Sequence, residues 1–348
     1  MLLGNSYGEE ITRNLNVANS VNNIWLIQGM SGSGKSTFYK NIIKSAAGDG
    51  MSVIVIDYSK SYIHKDMPYI SDEDYHIIER EGLGIDAFKP KSINIEGYYK
   101  KETFSDTADR MCDSLCSALN IKGVSQRDIL GECIRNEIEG GTPTFAGILN
   151  RVGQIKLAAA ESLALKMIGM KDVKFGGCLV EWNKIISNKR VTVFQFSHTS
   201  ESKRTFLTEL LLNDLWDFVK RSENDKGFLL ILDEIQNMKF KGDCFLSHLR
   251  EFRKFGIGAV MATQFVGNSF SKAESGELLE QAATKVYFKP DNGNMLSVAK
   301  SVDAYKCKDW LKIFQSLKVS ECVYSGITDQ SLMPQSVVLK VPPYNVDF

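Results

Sequence analysis

Short, continuously apolar runs recur along this chain, and four of them end abruptly in small or polar residues. Ile24-Trp25-Leu26-Ile27 runs into a glycine loop, and Val53-Ile54-Val55-Ile56 into Asp57. Phe228-Leu229-Leu230-Ile231-Leu232 runs into Asp233-Glu234, and Gly258-Ala259-Val260-Met261-Ala262-Thr263 into Gln264. Runs of that length, without polar alternation, predict strands buried on both faces. Val191-Thr192-Val193-Phe194-Gln195-Phe196 predicts another strand. Val286-Tyr287-Phe288, Glu321-Cys322-Val323-Tyr324 and Val337-Val338-Leu339 predict three shorter ones. Residues 35–47, 203–221 and 243–255 read as intervening helices. Apolar strands alternating with helices predict an α/β fold: a mainly parallel sheet covered on both faces.

The pattern changes in the middle of the chain. Residues 58–102 are irregular, rich in Tyr and Lys, and read as loops with short elements. Phe104, Ala108, Met111, Leu115 and Leu119 then recur at three- or four-residue intervals, the period of one helix face. Two further helices are expected, around 125–138 and 144–167, with Thr142-Pro143-Thr144 between them. The expected organisation is an α/β core made of 1–60 and 185–348, interrupted by a mostly helical insertion at 61–184.

Composition narrows the partners. Apolar residues make up 43% and charged residues 24%, as in an ordinary globular protein. Forty-two basic residues balance forty-two acidic ones, so no overall field draws the molecule to nucleic acid. Such contact would need local basic patches or assembly into a ring. Lys171, Lys174, Lys189-Arg190, Lys239 and Lys241 are candidates, each equally readable as a solvated charge. The seven cysteines form no C-x-x-C pair and suit a reducing cytoplasm. The four histidines show neither metal nor triad spacing. No run of about eighteen apolar residues and no leader-like N-terminus is present, so a cytoplasmic location without a membrane span is expected.

The polar residues that end the strands carry the chemistry. Gly29-Met30-Ser31-Gly32-Ser33-Gly34-Lys35-Ser36 matches G-x-x-x-x-G-K-[ST] in full, between a strand and a helix. Its glycines let backbone N–H groups surround phosphate oxygens, and the helix that follows adds its positive dipole end. Lys35 is expected on the β- and γ-phosphates of ATP, and the Ser36 hydroxyl on Mg²⁺. Asp233 is expected to hold the Mg²⁺ through water, and Glu234 to polarise the attacking water, which argues for hydrolysis. Gln264 ends a strand where a side chain can sense a γ-phosphate. Arg250, Arg253 and Lys254 precede that strand, hence at the opposite sheet edge. They read equally as a solvated helix end or as a cation for a neighbouring subunit's nucleotide.

In series, these motifs resemble the HerA/FtsK superfamily of ring-forming motors, which includes VirB4 and the VirD4/TrwB-like ATPases. The matching residues are Gly29 to Thr37, Asp57, Asp233-Glu234, Arg253-Lys254-Phe255-Gly256-Ile257-Gly258 and Ala262-Thr263-Gln264. The resemblance spans roughly 1–60 and 185–345, and the block from Arg253 to Gln264 is its specific part. It implies a RecA-like ATPase core, Arg253 as an arginine finger acting in trans, Gln264 as sensor, and a homo-hexameric ring around DNA, taken as double-stranded. It also implies a nuclease or other effector partner in anti-phage defence. An ATP-gated scaffold and a conjugation or secretion ATPase stand as alternatives. Three features depart from the family: about twenty-three residues precede the first core strand where many relatives carry a barrel, Lys60 and Ser61 stand where an acid often follows Asp57, and no membrane anchor is expected.

Overall fold

The computed structural model describes residues 1–15, 22–95, 98–173, 175, 180–196, 200–222, 227–238 and 244–345. Lys174, His198, Lys239 and Lys241 lie outside them. The strands in chain order are β1 (Leu2–Ser6), β2 (Glu9–Thr12), β3 (Ile24–Gln28), β4 (Ser52–Asp57), β5 (Tyr75–Ile77), β6 (Ser92–Ile95), β7 (Tyr98–Lys101), β8 (Val191–Gln195), β9 (Phe228–Leu232), β10 (Gly258–Thr263), β11 (Thr284–Phe288), β12 (Glu321–Thr328) and β13 (Ser331–Lys340). Eleven of them form one sheet, in the order β2-β1-β13-β12-β11-β3-β10-β9-β4-β8-β5. From β11 to β5 every pairing is parallel; from β11 outward through β12, β13, β1 and β2 every pairing is antiparallel.

The apolar runs divide between two faces, as strand periodicity dictates. Trp25, Ile27, Val53, Val55, Leu229, Ile231, Val260 and Ala262 pack with Phe38, Ile42 and Ile43 of helix α1 (Lys35–Gly48). Ile24, Leu26, Ile54, Ile56, Leu230, Leu232, Ala259 and Met261 pack on the other face, with helix Glu201–Arg221 and the helices of the middle segment. Both sides of the parallel sheet are thus buried, which explains why its strands lack polar alternation. The expected doubly covered, mainly parallel sheet is the observed fold.

The elements differ in detail from the sequence expectation. The stretch expected as one helix over 144–167 is two, Phe145–Gln154 and Ala158–Met167, broken where Ile155 adopts an extended backbone. Both pieces bury residues in the same core, so the apolar period runs through the break. The helix expected over 243–255 is an α-helix at Cys244–Glu251 that tightens to a 3₁₀ turn over Phe252–Phe255. The irregular stretch after β4 supplies the edge strand β5 and the separate two-stranded ribbon β6–β7. β1 and β2, which no apolar run announced, extend the sheet through β13. Among the described residues no helix is long and apolar enough to cross a membrane.

Candidate functional site

Parallel pairing sends the C-terminal ends of β3, β10, β9 and β4 to one edge, where α/β sheets expose ligand sites. The glycine loop leaves β3 at that edge and is tied to its neighbours. Gly29 N–H donates to the Gln264 carbonyl (3.2 Å) and Met30 N–H to that of Lys289 (3.0 Å). Ser320 N–H donates to the Ser33 carbonyl at 2.9 Å. Two glycines are required by this packing. A Cβ on Gly29 (φ +154°) would lie 2.5 Å from the Phe288 Cβ, and one on Gly34 (φ +113°) 2.9 Å from the Ser320 Cα. At Gly29 and Gly34 the loop therefore approaches its neighbours too closely for a side chain, with Gly32 and Ser33 at its turn.

Gly34 begins α1 without a side-chain cap, and the first turn holds no acid. The helix's positive end is left to whatever the loop encloses. Ser33 caps the loop instead, its Oγ donating to the Met30 carbonyl at 2.7 Å. Lys35 is buried, and its Nζ donates to the carbonyls of Gly29 (2.7 Å) and Met30 (3.0 Å). Burial lowers its pKa, against the opposing pull of Glu234 and Asp233. Ser36 is exposed beside it and Thr37 half-buried.

The acidic pair leaves β9, with β10 between it and the loop strand β3. Asp233 is 6% exposed. Burial, then the charges of Glu234 and Asp57, raise its pKa to about 6, while a hydrogen bond from Tyr62 pulls the other way. Glu234 takes a left-handed backbone (φ 55°), an uncommon state for a residue with a Cβ, and opens a 3₁₀ turn. It accepts a short hydrogen bond from the Gln236 Nε2. Gln264 follows β10 between the loop and the acids; its side chain is exposed and its carbonyl holds Gly29.

Sequence reading missed the groups that hold Asp233. Asp57 is fully buried and accepts from Ser59 N (2.9 Å), Ser59 Oγ (3.3 Å), Ser61 N (3.3 Å), Tyr62 N (3.4 Å) and Gln195 Nε2 (3.2 Å). Those bonds fold the turn after β4 so that Tyr62 Oη donates to Asp233 Oδ2 at 3.2 Å, while Ser59 Oγ shares its one proton between Asp57 and Asp233 Oδ2, the latter at 3.4 Å. The Tyr39 hydroxyl, one helical turn after Lys35, is buried with no hydrogen-bond partner among the described residues and feels both acids electrostatically. No local pattern could reveal the two contacts to Asp233, because they join residues far apart in the chain.

A divalent cation fits this edge. Asp233 is a buried carboxylate already aimed by two hydroxyls, Glu234 adjoins it, and the orphaned Tyr39 hydroxyl faces the same acids. A cation would offset the cost of keeping Asp233 ionised at neutral pH.

Arg253 sits in the 3₁₀ turn before β10, at the far edge of the sheet. A six-residue strand spans roughly 20 Å, so this guanidinium cannot reach its own glycine loop. Arg253 is exposed and has no ion-pair partner among the described residues, whereas Arg250 pairs with Glu277 (2.8 Å) and Lys254 with Glu251 (3.5 Å). Of the basic candidates, Arg190 is committed to Glu73 and Asp74, at 3.2 and 3.4 Å.

Residues 2–146 match the family model described as "Helicase HerA, central domain". Among solved structures, the chain resembles VirB4 of Thermoanaerobacter pseudethanolicus, with a TM-score of 0.74 and 13% identity over 98% of this chain and 96% of that one. It also resembles the bacterial conjugative coupling protein TrwB (TM-score 0.67, 12% identity, 100% of this chain and 89% of that one). The TrwB structure in complex with ADP and Mg²⁺ gives a TM-score of 0.68 at 12% identity, over 99% and 91% of the two chains. No curated protein sequence matches the chain. The family model agrees with the expected HerA resemblance over residues 2–146, and the solved structures share the expected fold.

Proposed function

Taking a P-loop ATPase of the HerA/FtsK type as premise, we propose that this chain is one subunit of an ATP-driven DNA motor that works as a ring, a hexamer by resemblance. The observation that carries the reading is the division of charge between the two sheet edges: Lys35 with Asp233 and Glu234 at one, and at the other an exposed Arg253 with no ion pair among the described residues. Half of a phosphoryl-transfer site is present at each edge, so a complete site needs two subunits.

ATP would enter the loop through its backbone N–H groups. Lys35 would exchange the Gly29 and Met30 carbonyls for the β- and γ-phosphate oxygens. Ser36 and Asp233 would hold Mg²⁺, which supplies neutralising charge on those phosphates. Glu234 takes a proton from the attacking water as its oxygen bonds to the γ-phosphorus and the bond to the ADP oxygen breaks. Gln264 orients that water, and Arg253 of the neighbouring subunit neutralises the developing charge. The fold likeness to TrwB, solved with ADP and Mg²⁺ and with an ATP analogue, supports the choice of ligand.

Two coarser readings keep the same chemistry. The equal numbers of acidic and basic residues favour a ring that scaffolds an effector without moving along DNA. The likeness to VirB4 and TrwB favours a conjugation or secretion ATPase. A nuclease or other effector partner rests on resemblance alone, and co-purification from the native host tests it. Triplex displacement separates motor from scaffold, since processive displacement rules the scaffold out. ATP turnover measured with and without DNA tests the motor itself. Stimulation by DNA is expected, and its absence overturns the reading.

A further inference from the structure

The ribbon β6–β7 stands apart from the main sheet, with Ser92 opposite Lys101 and Ile95 opposite Tyr98. Its outer strand reads Tyr98-Tyr99-Lys100-Lys101, and all four residues are exposed; each tyrosine is 81% exposed. Strand alternation gives each face one aromatic ring and one ammonium: Tyr98 with Lys100, Tyr99 with Lys101.

The base of the ribbon is fixed. Lys91 N–H donates to Glu102 Oε2 and Glu102 N–H to the Lys91 carbonyl, both at 2.9 Å. Glu102 is buried under Arg110 and Arg221, and Lys91 bridges Asp214 and Asp217 on helix Glu201–Arg221. The ribbon is therefore stapled to the helix that covers one face of the ATPase sheet.

Among the described residues around the ribbon, Asp86, Asp214, Asp217, Glu102 and Glu181 each have a basic partner. Lys100 and Lys101 form no ion pair with any described residue. Asp106 is held down first by Thr103, with Lys100 a lesser influence. Tyr99 lines the rim of a cavity of about 770 Å³ shared with Trp182 and Phe218, and Trp182 is fixed by its bond to Asp214 (2.7 Å).

Two solvent-facing tyrosines beside two unpaired lysines match what single-stranded nucleic acid offers, stackable bases on a phosphate backbone. We propose that Tyr98-Tyr99-Lys100-Lys101 is a contact site for single-stranded nucleic acid: bases stack on the tyrosines and phosphates meet the lysines. A tyrosine pair built only for a protein neighbour would not need two adjacent unpaired ammonium groups. The site adds a contact to the motor reading, and its test keeps the two separable.

The experiment measures anisotropy of a labelled oligo-dT with the full chain across a salt series. Tyr98→Ala/Tyr99→Ala should weaken binding roughly tenfold or more, while Tyr98→Phe/Tyr99→Phe retains it, because stacking needs only the ring. Lys100→Ala/Lys101→Ala should reduce the slope of log affinity against log salt by about 1.4, two single-strand phosphates' worth. Far-UV circular dichroism and turnover without DNA should stay at wild-type values, since none of the four residues is part of the nucleotide site. Affinity within twofold of wild type for the tyrosine-to-alanine double variant overturns the site. So does a changed assembly state by light scattering with unchanged oligonucleotide affinity, which would make the ribbon a subunit contact. DNA-stimulated turnover with an indifferent ribbon leaves the motor standing and removes this inference. Ribbon-dependent binding without stimulation does the reverse.

Discussion

The two edges of the parallel sheet treat charge in opposite ways. At the C-terminal edge, Lys35, Asp57 and Asp233 are buried and each is hydrogen-bonded by its own chain. At the N-terminal edge, Arg253 is exposed between two basic neighbours that already have acidic partners. Burying a charge is unfavourable unless the chain supplies partners, so the first edge is the work of one fold. An exposed arginine with no ion pair among the described residues, where its neighbours are paired, is available to another molecule. On the proposed function, one chain would hold two half-sites that cannot meet within it.

The largest effect expected tests the exposed edge. Arg253→Ala should lower steady-state phosphate release by roughly 10³- to 10⁵-fold, as loss of an arginine finger does, with nucleotide affinity largely kept. Lys254→Ala should leave the rate near wild type. If both variants turn over normally, the contrast between the edges has no functional meaning.

At the buried edge, Glu234→Gln should cost roughly 10²- to 10⁴-fold in turnover while ATP still binds. A single-turnover assay with excess protein isolates the chemical step. Near-normal cleavage there would move the water-activating role to another residue.

Tyr62→Phe probes the support beneath that edge. Losing one of two hydroxyl donors to Asp233 should raise the half-activating Mg²⁺ concentration by about 10- to 100-fold, with turnover at saturating Mg²⁺ little changed. A loss confined to turnover at saturation would assign Tyr62 to packing.

The smallest effect is in pH. The pKa of Asp233, about 6 in the folded chain, exceeds its ordinary 3.8, so the folded state holds this proton more tightly than the unfolded state. Its contribution to stability is therefore greatest at low pH and is lost as pH rises through 6. Mg²⁺ needs the ionised carboxylate, so the rise in Tm caused by Mg²⁺ should be small near about pH 5 and full near about pH 7.5. Scanning calorimetry checks this. A metal-induced shift independent of pH would contradict the buried, proton-holding Asp233.

Much of this arrangement was legible in the sequence because it is local. The core strands β3, β4, β9 and β10 are continuous apolar runs, and each leads into a candidate site residue, so runs and endpoints could be read together. The far-edge position of Arg253 followed from its place just before Ile257 and β10. The edge strands were not legible. Leu2–Ser6 carries Gly4 and Asn5, Glu9–Thr12 is half acidic, and neither needs apolar residues on both faces. The break at Ile155 was hidden because the apolar period continues across it. Tyr62, Ser59 and Tyr39 were invisible for a different reason: their roles arise where three segments meet, and no spacing within any one segment encodes that meeting.

The central claim is that the halves of the site lie on different subunits, and mixing two crippled variants tests it most directly. Lys35→Ala spoils the loop edge and Arg253→Ala the opposite edge, so each alone should be nearly inactive. Equal amounts mixed under assembly conditions should regain a substantial fraction of ATP turnover, because some interfaces then pair an intact loop with an intact Arg253. A mixture no more active than its components, while the variants demonstrably co-assemble, would contradict a site shared between subunits.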